Sequence, residues 1–226
     1  MVVPLSDAGS TDTETLALPG DGLREGIVQR LRDTLGQGVV DSLVKPGEDV
    51  WVRVSADAWR AAGMALRDII GCEYFCFLSI IDWMPSPFGR GEDDPTQPPP
   101  ERDDTIRHGY TGGETRMQIF ARVTNLREHF GVTIKADIAD DQPLVDSWIS
   151  VYAGANWHER EAHEMFGIGF AGHPDLRNIY LPMEFEGHPM RKDFPLLARI
   201  VKPWPGIVDV EPLPGGDDEE EEEATP

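Results

Sequence analysis

The chain has 226 residues, of which 40% are hydrophobic and six are tryptophan, enough for one sizeable core but short for two full domains. Its formal net charge of -21 argues against nucleic-acid binding and against direct contact with an anionic membrane, because both need clustered Lys and Arg. The N-terminus lacks the basic and apolar stretches of a secretory signal, and no apolar run is long enough to span a bilayer. We therefore expect a protein that stays in the cytoplasm.

The first predicted elements follow a flexible lead over residues 1–20. Residues 23–35 carry apolar side chains at spacings of three and four, which predicts an amphipathic helix that stops at Gly36. Residues 50–54 are typical of a strand, and a second helix is expected to follow it. Ser55 and Asp57 are expected to cap that helix, and Gly71 is expected to end it. The residues expected to face the core are Trp59, Ala62, Met64, Leu66 and Ile69.

Further strands are predicted on both sides of a segment with no periodicity. Residues 74–81 indicate a buried strand, and residues 116–123 and 132–138 indicate an antiparallel pair. Between the strand over 74–81 and this pair, residues 84–114 are rich in Pro, Gly and acidic side chains, which favours a long mobile hairpin insertion. We therefore predict an α+β domain over residues 21–181, in which a mixed or antiparallel sheet packs against helices.

The chain changes character from Pro182 onward. Residues 182–214 contain seven prolines, which restrict the backbone to extended or turn geometry, together with strongly apolar side chains that need a surface to cover them. One interpretation is that this extended arm folds back over its own sheet, and the other is that it binds a partner. Residues 215–226 form a self-repelling acidic tail that we expect to be disordered.

The densest cluster of charged residues is Asn-Trp-His-Glu-Arg-Glu-Ala-His-Glu-Met-Phe-Gly over residues 156–167. Asn156 and Glu159 have the spacing of a capping box, and Gly167 is a typical stop, so we predict a helix of about three turns. The pairs four residues apart, which are expected to form charge ladders along its flank, are Glu159 with His163 and Arg160 with Glu164.

The histidines of this region do not fit the known helical metal motif. His158 and His163 are five residues apart and diverge by roughly 140° around a helix, whereas His-Glu-x-x-His needs a spacing of four. Two later Gly-His-Pro segments, which contain His173 and His188, echo each other, and each has a carboxylate and an arginine nearby. A metal-dependent hydrolase using these histidines and a carboxylate is one hypothesis. The favoured one is a packed junction of paired charges, in which losing one member of a buried pair costs roughly 3–5 kcal/mol.

Recognisable cofactor and catalytic motifs are missing from the sequence. There is no glycine pattern for a dinucleotide or a Walker loop, and no Gly-x-Ser-x-Gly elbow. The two cysteines, Cys72 and Cys76, lie at an apolar run and fall short of the four thiolates that an iron–sulfur cluster usually needs. We therefore expect no catalytic, cofactor-binding or metal-binding residue in this chain.

Three blocks over about forty residues carry a family resemblance. They are Trp157-His158-Glu159-Arg160-Glu161 with Met165-Phe166-Gly167-Ile168, then Gly172-His173-Pro174-Asp175-Leu176-Arg177, then Gly187-His188-Pro189 with Arg191-Lys192-Asp193-Phe194-Pro195. A weaker likeness extends upstream through Leu78-Ser79-Ile80-Ile81-Asp82-Trp83. Together they resemble the 30-kDa-type subunit family, which provides the C subunit of the bacterial respiratory NADH:quinone oxidoreductase (complex I).

The resemblance implies a non-catalytic structural subunit in the peripheral arm of a proton-translocating complex, on the cytoplasmic side of the cell membrane. It implies that FMN, the iron–sulfur clusters and the quinone belong to partner subunits. The main partner would be the D subunit, which helps to form the quinone cavity, with subunits B and I as neighbours. The residues expected at the subunit interface are Glu159, Arg160, Glu161, His173, Asp175, Arg177, His188, Arg191, Lys192, Asp193 and Phe194.

A second hypothesis places the same module in a related membrane-bound hydrogenase or ferredoxin-linked complex, where it would serve a different electron donor. The sequence does not separate this hypothesis from the first. The identity of the copurifying subunits does, because an NADH-oxidising flavoprotein belongs only to the first.

Overall fold

The computed structural model describes residues 21–86 and 105–195, which form a mixed sheet packed against helices. The helices are α1 (Gly22–Leu35), α2 (Trp59–Asp68) and α3 (Ala155–Phe166), with short 3-10 turns at Gly36–Gly38 and Ala56–Ala58. The strands are β1 (Val39–Leu43), β2 (Val50–Val54), β3 (Tyr74–Asp82), β4 (Met117–Asn125), β5 (Phe130–Ile138), β6 (Leu144–Asp146) and β7 (Gly169–Ala171). The predicted α+β class is confirmed. The predicted lead over 1–20, the arm beyond residue 195 and the tail over 215–226 lie outside the described residues.

The main sheet has five strands in the order β1-β2-β5-β4-β3. Strands β4 and β5 pair antiparallel along their whole length, as the sequence predicts, and β3 pairs antiparallel with β4. Strand β2 pairs parallel with β5, so that Val52 lies opposite Ile134. Strands β6 and β7 form a separate parallel pair next to α3. This pair brings the chain on either side of α3 together.

Helix α1 confirms the helix predicted over residues 23–35. Its first turn is capped by the Asp21 carboxylate, which accepts a hydrogen bond from the Arg24 backbone N–H at 3.2 Å. It ends at Gly36, whose φ of 56° favours glycine. Ile27 and Leu31 are fully buried in the core cluster that also contains the central strands.

Helix α2 buries only part of its predicted face. Trp59, Ala62 and Leu66 have no exposed surface, as expected, but Met64 and Ile69 are about half exposed. The prediction is wrong for Met64 because it lies two positions from Ala62, which places it about 200° around the helix on the outer side. It is wrong for Ile69 because the helix ends at Asp68, so Ile69 is only its C-cap residue. Ser55 makes no side-chain cap, also against expectation, and the helix ends at Asp68 rather than beside Gly71.

A stacked tryptophan pair joins α2 to the segment that precedes α3. The rings of Trp59 and Trp148 are 4.4 Å apart at an angle of 18°, and Trp148 Nε1 donates to the Trp59 carbonyl at 3.0 Å. Gly63 makes this contact possible, since a Cβ at that position would stand 2.7 Å from the Trp148 ring. Both tryptophans are fully buried, so this pair anchors the α3 side of the molecule to its core.

Strand β1 was not predicted from the sequence. It is an edge strand none of whose residues is fully buried, and its pairing with β2 is irregular between Val39 and Asp41. An exposed edge strand needs no alternation of apolar and polar residues, so the pattern that identifies the inner strands is weak here.

The predicted insertion over residues 84–114 is only partly an insertion. Residues 87–104 lie outside the described part of the chain, but residues 105–114 contact side chains of strands β2 and β4. The Tyr110 ring packs edge-on against Trp51 at 5.3 Å, and Gln118 Nε2 donates to the Gly112 carbonyl at 3.1 Å. The expectation of a mobile segment up to residue 114 is therefore wrong for its C-terminal leg.

Candidate functional site

Helix α3, which carries the first block of the resemblance, has a glycine at each end. Gly154 stands at its N-cap without a side-chain cap, and Gly167 ends it in the left-handed conformation with φ of 74°. The predicted stop at Gly167 is confirmed. The predicted capping box is wrong, because the helix begins one residue before Asn156 and the Glu159 side chain turns into the core.

Glu159 is fully buried against the segment that precedes α3. Its Oε2 accepts a hydrogen bond from Ser147 Oγ and its Oε1 accepts one from the Trp148 backbone N–H, both at 2.6 Å. Burial raises the pKa of Glu159 to about 7, and the two hydrogen bonds oppose that rise only in part. A side chain with no exposed surface cannot touch another subunit, so the interface role predicted for Glu159 is corrected to an internal one.

Glu164, also buried, holds the chain on the other side of α3. Its carboxylate accepts hydrogen bonds from the backbone N–H groups of Ile179 at 2.9 Å, of Tyr180 at 3.1 Å and of Leu181. Burial raises the pKa of this carboxyl, but the three backbone donors outweigh it and keep the pKa below its ordinary value. One ionised side chain therefore attaches residues 179–181 to the last turns of the helix.

The C-terminal end of α3 is capped by the third block of the resemblance. The last carbonyl groups of a helix lack partners within the helix, and here four of them receive donors from residues that follow the helix. The pairs are Gly167 N to His163 O (2.8 Å), His188 Nδ1 to Glu164 O (2.8 Å), Met190 N to Met165 O (3.1 Å) and Arg191 Nε to Phe166 O (2.6 Å). Residues 188–191 thus complete the helix, and we call α3 with residues 167–194 the α3 junction.

The histidines of the α3 junction face backbone carbonyl groups. His173 Nε2 lies 3.2 Å from the Asn156 carbonyl oxygen at the start of α3, whereas His188 contacts the Glu164 carbonyl near its end. These two carbonyls are about 12 Å apart along the helix axis. Since a metal ion holds each ligand at about 2 Å, the pair does not converge on one ion. Within residues 21–86 and 105–195, no group of three or more His, Cys, Asp and Glu side chains is placed to hold a metal.

A buried ion pair fastens the end of the described chain to the sheet. Both carboxylate oxygens of Asp82 accept from Arg116, at 2.9 and 2.7 Å, and Oδ2 also accepts from the Lys192 backbone N–H at 2.8 Å. Burial opposes ionisation of Asp82, but Arg116 and the backbone donors keep its pKa below the ordinary value. Arg116 also donates to Asp193 at 2.9 Å. The interface residues predicted from the sequence did not include Asp82 or Arg116. A signal for Asp82 was available, because it is a charged residue at the end of an apolar strand and lies in the upstream block of the resemblance.

The charge ladders predicted along α3 do not form. His163 Nδ1 contacts the Ile168 carbonyl at 2.9 Å instead of Glu159. Arg160 lies close enough to Glu164 to lower its pKa slightly, but it donates its hydrogen bonds to the carbonyl groups of Arg177 and Asn178 at 3.0 and 3.3 Å. The side chains of His163 and Arg160 therefore bind backbone carbonyl groups rather than neighbouring charged side chains.

The other predicted interface residues lie around this junction. Asp175 and Arg177 form an exposed ion pair at 3.1 Å, and the Asp175 backbone N–H donates to His173 Nδ1 at 3.1 Å. Glu161 is half-buried on α3, and Phe194 packs its ring 6.0 Å from that of Phe185. The second and third blocks of the resemblance therefore both contact helix α3, which carries the first block.

The α3 junction also presents large apolar side chains to solvent. Trp157 on α3 is 68% exposed, and the segment attached by Glu164 exposes Tyr180, Met183, Phe185 and Met190. Exposed apolar side chains that form one patch mark a protein-interaction surface, and these five side chains lie on one helix and on the segment bound to it. The chemistry that this region supports is recognition of another protein surface.

A family profile described as the 30-kDa subunit of respiratory-chain NADH dehydrogenase matches residues 52–199. The chain belongs to this family. Among curated relatives, the C subunit of the NADH-quinone oxidoreductase of an Azoarcus species is 35% identical over 179 residues, which cover 78% of each chain. The protein of the same name from Acidithiobacillus ferrooxidans is 32% identical over 176 residues, 78% of this chain and 77% of the relative. The family suspected from the three sequence blocks is confirmed.

The fold recurs in a more distant respiratory protein. A chain of the membrane-bound sulfane sulfur reductase, an archaeal respiratory membrane complex, matches with a TM-score of 0.50 and 19% identity, covering 77% of this chain and 86% of that one. At this identity the likeness shows a common fold alone. Within the two described stretches, the helices of this family member are too short or too polar to cross a membrane.

Proposed function

We propose that the chain is a non-catalytic structural subunit in the peripheral arm of a proton-translocating NADH:quinone oxidoreductase, where it holds the D subunit at the quinone site. The relatives named as C subunits of NADH-quinone oxidoreductase, matched over most of their length, support the choice of complex. In this proposal FMN, the iron–sulfur clusters and the quinone reside in partner subunits. The chain sits at the cytoplasmic side of the membrane and touches the bilayer only through the complex, with subunits B and I as further neighbours.

One observation supports the structural role above the others. The polar side chains of the α3 junction bind backbone groups of the same chain: Glu164 holds three backbone N–H groups, and His173, His188 and Arg191 each face a backbone carbonyl. Side chains committed in this way shape a surface and are poorly placed to transfer protons or electrons to a substrate. The exposed apolar groups that they position are suited to a partner protein.

The partner identity is tested by purification from membranes. A tagged chain, expressed in place of its own wild-type copy, is captured from detergent-solubilised membranes and its companions are identified by mass spectrometry. We expect an NADH-oxidising flavoprotein and the quinone-site subunit, with the latter crosslinking to residues 157–196. The purified chain alone should show no flavin, iron or quinone, and visible absorbance that copurifies stoichiometrically with it would refute the non-catalytic role.

An equivalent scaffold in a related membrane-bound hydrogenase or ferredoxin-linked complex is the second candidate. The fold common to this chain and the sulfane sulfur reductase chain motivates it, although a common fold does not choose between electron donors. The same purification separates the two, since copurified hydrogenase-type or ferredoxin-binding subunits without an NADH-oxidising flavoprotein would replace the first proposal by the second.

The α3 junction itself is tested by a matched pair of arginine substitutions. Arg191→Ala removes a 2.6 Å cap on the Phe166 carbonyl, whereas Arg177→Ala removes a side chain that forms an exposed ion pair. We expect both to lower the amount of chain in the assembled complex on a native gel, and Arg191→Ala to lower it several-fold more. Equal assembly of both variants and wild type would contradict the proposed interface.

A further inference from the structure

The loop over residues 182–187, which we call the Met183 loop, is closed at a single residue of α3. On one side, the Glu164 carboxylate binds the backbone N–H groups of residues 179–181. On the other side, the Glu164 backbone carbonyl faces His188 Nδ1 at 2.8 Å. Both ends of the loop are therefore fixed to the same turn of a helix that packs on the sheet.

The inside of the Met183 loop is shaped as well. The Phe185 backbone N–H donates to the Pro182 carbonyl at 3.0 Å, which forms a turn within the loop. Gly187 has a φ of 102°, and a Cβ at this position would stand 2.7 Å from the Phe194 ring, so glycine is required there on two grounds. A loop that is held at its ends and at its turn loses little conformational freedom when it binds.

The surface of the Met183 loop alternates apolar and acidic side chains. Met183 is 87% exposed, the largest exposed fraction of any large hydrophobic side chain in residues 21–86 and 105–195. Phe185 is 39% exposed, and Glu184 and Glu186 are exposed beside these two apolar groups. A fixed loop that displays apolar side chains between carboxylates is complementary to an apolar pocket with cationic side chains at its rim.

We propose that the Met183 loop is a preformed docking element that inserts Met183 and Phe185 into an apolar pocket of a neighbouring subunit, with Lys or Arg side chains of that pocket pairing with Glu184 and Glu186. This inference rests on the proposed function, because it needs a partner subunit. An anionic bilayer does not fit, since it would repel the two glutamates. A second copy of this chain fits poorly too, because two molecules with a formal net charge of -21 would meet acid against acid.

The apolar part is tested in the assembled complex. Met183→Ser and the double variant Met183→Ser with Phe185→Ser replace the wild-type chain in cells, and native gels of solubilised membranes measure the fraction of chain in the complex. The matched control is Val40→Ser with Leu126→Ser, which removes two exposed apolar side chains outside the α3 junction, and Val40 lies on β1 at the opposite edge of the sheet from β3. We expect about tenfold less assembled chain for the double loop variant and no change for the control. Met183→Ser alone should fall between them with an unchanged melting temperature, since this side chain is almost fully exposed.

The acidic part is tested by charge reversal against charge removal. Glu184→Lys with Glu186→Lys should assemble less than Glu184→Gln with Glu186→Gln, and raising the salt concentration during purification should narrow the difference. Purified chain should not sediment with vesicles of phosphatidylcholine and phosphatidylglycerol. Sedimentation that depends on Met183 would overturn the proposal in favour of a membrane.

The outcomes separate this inference from the function on which it rests. If the wild-type chain is absent from any NADH-oxidising complex, the proposed function fails. If the wild-type chain assembles, and the loop variants assemble as well as it does while remaining folded, the Met183 loop is not a docking element and the proposed function stands.

Discussion

The central sheet and the α3 junction are held together by different forces. Strands β4 and β5 bury an apolar side chain at every second position from Met117 to Val123 and from Phe130 to Ile138, so much of their stability comes from removing hydrocarbon from water. The α3 junction buries Ala162 and Phe166 but exposes larger apolar side chains, and its C-terminal segment is held by hydrogen bonds between backbone groups and the side chains of Glu164, His188 and Arg191. Non-directional burial tolerates small shifts, whereas each hydrogen bond requires a defined geometry. The junction is therefore suited to presenting a surface of fixed shape.

The largest effect is expected where the two regions meet. Trp148→Ala removes a fully buried ring that stacks on Trp59 and leaves a cavity beside Gly63. We expect the free energy of unfolding to fall by about 3–5 kcal/mol in urea titrations. Leu126→Ala, at an exposed position, is the control and should change it by less than about 0.5 kcal/mol. A small loss for Trp148→Ala would show that the α3 side does not depend on the apolar core.

A smaller and more local effect is expected in the α3 junction. Glu164→Gln places an amide group opposite three backbone donors, so we expect a loss of about 1–3 kcal/mol. Amide hydrogen exchange should accelerate at Ile179 and Tyr180 before it does in the sheet. The control is Glu161→Gln on the same helix, where no such loss is expected.

The same carboxylate also defines a pH window. The folded-state pKa of Glu164 lies below its ordinary value of 4.5, so its contribution is present above pH 4.5 and is lost as the pH falls through the lowered folded value. Acid titration of the wild type should release residues 179–181 before the sheet unfolds. If amide hydrogen exchange at these residues is the same in Glu164→Gln and wild type at neutral pH, the hydrogen bonds of the Glu164 carboxylate do not stabilise residues 179–181.

The pH dependence of stability expected from Glu159 is opposite to that expected from Glu164. Its folded-state pKa of about 7 exceeds the ordinary 4.5, so the folded chain holds this proton more tightly and loses stability as the pH rises from about 5 to about 7. Glu159→Gln keeps one acceptor and one donor for Trp148 and Ser147, and it should stabilise the protein by about 1–2 kcal/mol above pH 7. Denaturation midpoints across this pH range, with exposed Glu73→Gln as the control, measure the effect. Destabilisation of Glu159→Gln at pH 8 would mean that the ionised form is required.

The smallest expected effect concerns a polar group inside the sheet region. Lys135 is almost fully buried on β5, its Nζ lies 3.1 Å from Gln118 Oε1, and burial lowers its pKa to about 8. Because the folded-state pKa is depressed, stability should rise as the pH increases from about 8 toward 10.5. Lys135→Met should stabilise the protein by roughly 1 kcal/mol at pH 7 and by less at pH 9.5. Lys192→Met, at an exposed position, should change little at either pH.

Much of the fold was predictable from local pattern. Helix α1, strand β2, the antiparallel pair β4 and β5 and the stop at Gly167 all follow from periodicity and glycine placement. The exposed edge strand β1 was missed because it lacks that pattern, and the capping box at Asn156 was wrong because Glu159 has a buried partner instead. The parallel pairing of β2 with β5 joins segments about eighty residues apart, which no local signal reports.

The candidate site was predictable in location but not in mechanism. The three blocks of the resemblance identify the residues that gather on α3, and these include His188 and Arg191. Three glutamates within six residues of α3 look equivalent in sequence, yet Glu159 is buried with a raised pKa, Glu161 is half-buried and Glu164 binds three backbone N–H groups. Their roles depend on what the rest of the chain brings to each position.

The sequence by itself determined the family, the α+β class and the approximate extent of α1, β2, β3, β4, β5 and α3, because these depend on residue types a few positions apart and on blocks that can be compared directly. Only the tertiary structure decided which charged groups are buried and which loop is displayed. Glu164 receives its donors from residues 15 to 17 positions away, and Asp82 receives one from Lys192, 110 positions away. A hydrogen bond forms where two groups meet in space, and such meetings are products of packing rather than of neighbouring residues.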